Sequence, residues 1–153
     1  MNTSNLFTYK VAEIQITYRN KANPADLPKI SNSTDCFNLL LDLWSDKMEY
    51  VEEFYVLLLN KANKVLGISK ISEGGISGTV VDPKRIFQVA LKANASSLVM
   101  AHNHPSQSIQ PSEADQRITK KIRDAGILLD IAVLDHLIMT KDRYYSFADE
   151  GVL

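Results

Sequence analysis

The chain has 153 residues, a formal net charge of −1, 45% hydrophobic and 23% charged residues, and one cysteine. That length suits one compact domain, the composition speaks against wholesale disorder, and the near-neutral charge lacks the broad basic footprint of a dedicated nucleic-acid binder. No apolar run approaches the roughly 20 residues of a membrane span, the first residues lack a secretory pattern, and lone Cys36 excludes an internal disulfide and any multi-thiolate zinc site, so a cytoplasmic protein is expected.

Residues 8–18 alternate, with Ala12, Ile14, Ile16 and Tyr18 on one side, which predicts a half-buried strand. Asn20 to Asn32 holds Pro24 and Pro28 among small polar residues and reads as a linker. Ser33-Thr34-Asp35 offers an N-cap, and Cys36, Leu40 and Leu43 follow at helical spacing. Glu53 to Leu59 and Val65 to Ser72, joined by a short polar loop, predict a hairpin. Gly74, Gly75 and Gly78 break the chain before Asp82-Pro83, a cap followed by proline at the first helical position. Ser97 to Ala101 reads as a buried strand, and Ser112 to Ala125 as a helix closed by Gly126. Further strands are expected over 127–134 and 137–140, and Tyr144 to Phe147 ends the sheet. Mixed strands and helices predict a three-layer α/β (α+β) fold. Residues 1–50 are expected to supply a strand, linker and helix packed on a domain spanning 51–153.

The chemistry concentrates in Ala101-His102-Asn103-His104-Pro105 and Pro111-Ser112-Glu113-Ala114-Asp115. Residues i and i+2 of an extended chain face one side, so His102 and His104 converge. Two imidazoles, one carboxylate and an open fourth position make a catalytic zinc set, and Asp115 lies in the first turn of the next helix. Ser112 and Asp115 also read as an ordinary N-cap pair, and both roles coexist.

His102-x-His104, then seven residues, Ser112, two residues and Asp115 resembles the complete JAMM (MPN-type) metalloprotease signature. The flanking residues, Leu98 to Ser106 with Pro111-Ser112, Leu134-Asp135-His136 and Tyr145-Ser146-Phe147, are similar to the bacterial RadC family, and the resemblance runs from about Glu52 to Leu153. It implies a cytidine-deaminase-like mixed sheet flanked by helices, one zinc on His102, His104 and Asp115, and hydrolysis of a peptide or isopeptide bond in a protein substrate. Within it, Ser112 takes the place of the serine that stabilises an oxyanion. The family's general-base glutamate falls on Glu53, immediately before the apolar strand, with Glu52 as the alternative because adjacent strand residues face opposite sides. Gln107 departs from the family's glycine, which costs something if the position needs a positive φ. The helix-hairpin-helix-like region of full-length RadC proteins is not expected here.

Arg117, Lys120, Lys121 and Arg123 form a basic face that reads first as the solvated side of a helix and second as a weak nucleic-acid contact. Cys36 and His136 read as packing residues, with His136 alternatively supporting the site. A zinc deaminase is excluded because it needs a Pro-Cys-x-x-Cys pair. Rival readings of the whole are a DNA-repair-associated accessory protein or nuclease, and a non-catalytic interaction module.

Overall fold

The computed structural model describes residues 11–74 and 80–153. Polar caps start each helix. Asn32 opens α1 (Ser33–Leu43), its side chain accepting from the Asp35 amide at 2.9 Å, so the cap falls just before Ser33. Asp82 opens α2 (Pro83–Lys92) by accepting from Lys84 N at 2.9 Å, with Pro83 where a missing N–H leaves no bond unmade. Ser112 opens α3 (Glu113–Leu128) in a capping box closed by Asp115.

The strands are β1 (Glu53–Leu59), β2 (Val65–Glu73), β3 (Ser97–Asn103), β4 (Ala132–Met139) and β5 (Tyr144–Ser146). They form one sheet in the order β2-β1-β3-β4-β5. Only β3 and β4 run parallel; the other neighbours, including the expected β1–β2 hairpin, are antiparallel. Helices cover both faces. Phe37 and Leu40 of α1 pack over Leu57, Val99 and Leu137, and on the other face Ile86 of α2 and Ile122 of α3 pack over Val56, Met100 and Val133. This is the three-layer α/β architecture expected. Central strands β1 and β3 are buried along their whole length, which is why they read as unbroken apolar runs. Each fully buried leucine or isoleucine contributes about 1.5–3 kcal/mol.

Three local expectations are corrected, the last being the two strands over 127–134 and 137–140. Residues 11–18 form no strand; Ile14 and Ile16 are exposed, and the segment reaches β2 through the Tyr18 hydroxyl, which donates to the Leu66 carbonyl at 3.3 Å. Residues 8–10 of that expectation, and Gly75 and Gly78 of the glycine break, lie outside the described residues. The third helix does not stop at Gly126 but continues to Leu128, and the chain turns at Asp130, whose φ of 55° is left-handed. Residues 132–139 then form a single strand. The 20–32 segment is irregular, with a 3-10 turn at Pro24–Asp26. No helix among the described residues is long and apolar enough to cross a membrane.

Strand pairing decides which side chains meet. Phe54 lies opposite His102, so β1 and β3 send Phe54, Val56, Met100 and His102 towards α2 and α3, and their neighbours towards α1. Between the pairs Leu98–Val133 and Val99–Asp135 the register shifts by one residue. This extra residue, Leu134, reverses the alternation of β4 and brings His136 to the face of His102.

Candidate metal centre

His102 stands at the buried end of β3, His104 just beyond it, and Asp115 in the first turn of α3. The His102 Nε2 atom lies 3.0 Å from His104 Nε2 and 3.2 Å from Asp115 Oδ1, while His104 Nε2 lies 3.4 Å from Asp115 Oδ2. One ligand atom from each residue falls within 4.8 Å of the others. The structure therefore brings together the three residues singled out as metal ligands. Their chemistry fits zinc: two imidazole nitrogens and one carboxylate oxygen leave a fourth position for water or substrate. The Nδ1 of His104 lies 2.9 Å from the Ser108 carbonyl. A carbonyl can only accept, so Nδ1 carries the hydrogen and Nε2 of the neutral ring offers its electron pair to the centre. Pairing with Asp115 raises the His104 pKa above its ordinary value despite burial. Burial works against charge on Asp115, yet the two imidazoles outweigh it and hold its carboxyl well below the usual range.

The capping box fixes the third ligand. Ser112 N donates to Asp115 Oδ2 at 2.8 Å and Asp115 N donates to Ser112 Oγ at 3.1 Å. The Ser112 hydroxyl thus accepts in the cap and keeps its own hydrogen. Between the histidines and this cap, Gln107 takes a φ of 67° and its amide closes a turn on the His104 carbonyl at 2.9 Å. The position does require the left-handed conformation, and a non-glycine residue holds it.

The two glutamates part company. Glu53 points to the α1 side, fully buried, with Oε1 2.5 Å from Lys70 Nζ and Oε2 accepting from Ser45 Oγ at 2.6 Å. The structure does not bring it to the histidines. Glu52 instead lines a cavity of about 150 Å³ together with Phe54, Val81, His102 and Asp115. Burial pushes its carboxyl above the ordinary range, against the opposing pull of His102 and His104. Asn103, between the two histidines but on the opposite face, was not singled out from sequence. Its side chain accepts from Glu53 N at 2.8 Å and donates to Met48 O and Val51 O at 2.7 and 2.8 Å, pinning the segment that carries Glu52. An Asn inside an apolar strand is the signal that was available.

The remaining residues have clear surroundings. His136 is fully buried, and burial drives its pKa well below the ordinary value. Cys36 is in the α1 core, where burial pushes the thiol up to about 12. On α3, Arg117 pairs with Glu113, and Lys120 and Arg123 both pair with Asp124, so the helix itself partly neutralises its basic face.

Comparison with known proteins gives the family. A Flavobacterium johnsoniae protein is 44% identical over 143 residues, 93% of this chain and 62% of the relative. A Chlorobaculum parvum protein is 35% identical over 125 residues, 82% and 55% of the two chains, and one from Porphyromonas gingivalis is 44% identical over 103 residues, 67% and 45%. All three carry the name UPF0758 protein. The chain spans about half to three fifths of these curated relatives. The family model described as RadC-like JAB domain matches residues 30–152, from just before α1 through the ligand set to the end of the sheet, and the chain belongs to that family.

Proposed function

We propose that the protein is a zinc-dependent hydrolase of peptide or isopeptide bonds, with Glu52 as its general base. The observation that carries this reading is Glu52 in the same cavity as His102 and Asp115. His102, His104 and Asp115 would hold zinc, which supplies Lewis acidity and brings the pKa of a bound water towards neutrality. Glu52 takes the proton from the attacking water as oxygen adds to the carbonyl carbon. It then gives that proton to the nitrogen as the C–N bond breaks, releasing an acid and an amine. In the metal-free protein burial raises the Glu52 carboxyl, an environment that favours a carboxyl able to take a proton and later release it. Ser112 keeps a hydroxyl hydrogen available for the oxygen that gains charge. The apolar walls of the cavity, Phe54 and Val81, suit a substrate side chain rather than a phosphate.

Glu53 serves the fold in this reading: its bond to Lys70 ties β1 to β2 below the site. The test is cleavage of peptide and isopeptide-linked substrates by chelated and zinc-reloaded protein. Cleavage that disappears with the metal and returns with it is expected. Stoichiometric zinc without cleavage across a broad peptide library would instead make the chain a binding module.

A further inference from the structure

We propose that Thr119 and His136 form a hydrogen-bonded relay that fixes His102 in the tautomer whose Nε2 electron pair faces the metal centre. The chain of contacts runs from α3 through β4 to β3. Thr119 Oγ1 lies 2.6 Å from the Asp115 carbonyl oxygen, His136 Nδ1 lies 2.6 Å from Thr119 Oγ1, and His102 Nδ1 lies 2.8 Å from His136 Nε2.

The direction of every hydrogen follows from the carbonyl end. A carbonyl accepts only, so the single Thr119 hydroxyl hydrogen goes to Asp115 O. Thr119 Oγ1 must then accept from His136, which places the His136 hydrogen on Nδ1. His136 is fully enclosed, stacked on Phe147 at 5.0 Å and tilted against Phe54 at 5.5 Å. A ring so enclosed is neutral and has one N–H. Its Nε2 is therefore an acceptor, and the hydrogen between the two rings belongs to His102 Nδ1. What remains at His102 Nε2 is an electron pair, aimed at His104 and Asp115.

Asp115 thereby acts twice. Its carboxylate stands in the centre, and its backbone carbonyl sets the tautomer of the imidazole opposite. His136 and Thr119 are positioning residues: neither reaches the centre, and both act through His102. Ring stacking keeps the relay from flipping, since Phe54 also lies parallel to His102 at 5.9 Å and 8°. Partners of this kind beyond the ligands typically change metal affinity by about 10–100-fold. The consequence for metal affinity rests on the zinc reading above; the tautomer itself does not.

The experiment is long-range 1H–15N correlation spectroscopy of the histidine rings in the metal-free full chain, paired with chelator-competition titration of zinc. Nδ1–H is expected at both His102 and His136 in the wild-type protein. Thr119→Val keeps the shape but removes the hydroxyl, so His136 and His102 should populate the other tautomer and zinc affinity should fall about 10-fold or more. Thr119→Ser should restore both readouts. An Nε2–H tautomer at His102 in the wild-type protein overturns the proposal. So does a Thr119→Val protein that loses affinity with its tautomers unchanged, or that keeps both. Should wild-type protein bind no zinc, the metal reading fails while the ring spectra still decide the relay.

Discussion

Replacing Gly126 with alanine sets helix propensity against packing. Gly126 lies inside α3, two residues before its end. Propensity alone favours alanine there by about 1 kcal/mol. A Cβ at this position, however, would stand closer than 3.0 Å to the carbonyl oxygen of Ile131 and 3.4 Å from Val133 Cγ2. The obstacle is backbone, and it is held in place. Ile131 N donates to Gly126 O at 2.9 Å, and the intervening turn depends on Asp130 at its left-handed φ. No side-chain rotation relieves the contact, so the end of α3 must lift from β4. Overpacking of this kind costs about 1–3 kcal/mol, and a backbone obstacle places it at or beyond the top of that range. Against the propensity gain, the net loss is about 2 kcal/mol, or about 4–8 °C in Tm for a chain of this size. Asp115 lies about 16 Å up the helix axis, so zinc content should stay at the wild-type level. Thermal and urea unfolding of the Gly126→Ala protein measure the effect. An unchanged or higher Tm would refute the close-approach argument.

Other consequences are equally direct. Cys36, with its thiol pushed up to about 12 by burial, should resist alkylation at pH 8 in the native protein and react once urea unfolds it; fast native alkylation would contradict its core position. Protons and zinc compete for His104 Nε2, and because Asp115 raises the His104 pKa, zinc affinity should begin to fall above pH 6.5 as the pH is lowered. Affinity that stays flat down to pH 5.5 would speak against His104 as a ligand. Gln107→Gly should stabilise the loop by about 0.5–1 kcal/mol, the left-handed penalty of about 1–2 kcal/mol less the extra entropy of an unfolded glycine. A lower urea midpoint would show that the Gln107 side chain matters more than its φ.

What was legible in the sequence was local or periodic. The Asp82-Pro83 start of α2, the β1–β2 hairpin and the His-x-His pair at the end of a buried strand all follow from patterns within a few residues. Fold class and the three candidate ligands followed with them. The proposed base did not, because Glu52 and Glu53 differ only in the face they take, and that face is set by the pairing of Phe54 with His102, some 48 residues away. Gly126 looked like a helix end because nothing nearby announces the approach of Ile131. The 11–18 alternation failed for the complementary reason: a period of two makes a strand only where a neighbouring strand takes up its hydrogen bonds. The His136 relay needs the one-residue shift at Leu134, which no local pattern encodes.

Turnover at matched zinc occupancy in the Glu52→Gln and Glu53→Gln proteins tests the assignment of the base, and with it the hydrolase, most directly. An amide cannot take the proton of the attacking water, so Glu52→Gln should keep zinc and fold while losing about 10²–10⁴-fold in rate. Glu53→Gln should stay within a few-fold of wild type in turnover and lose some stability, because the buried ion pair with Lys70 is gone and Lys70 keeps only its exposed partner Glu73. An active Glu52→Gln enzyme beside an inactive, zinc-replete Glu53→Gln enzyme would contradict the geometry on which the mechanism stands.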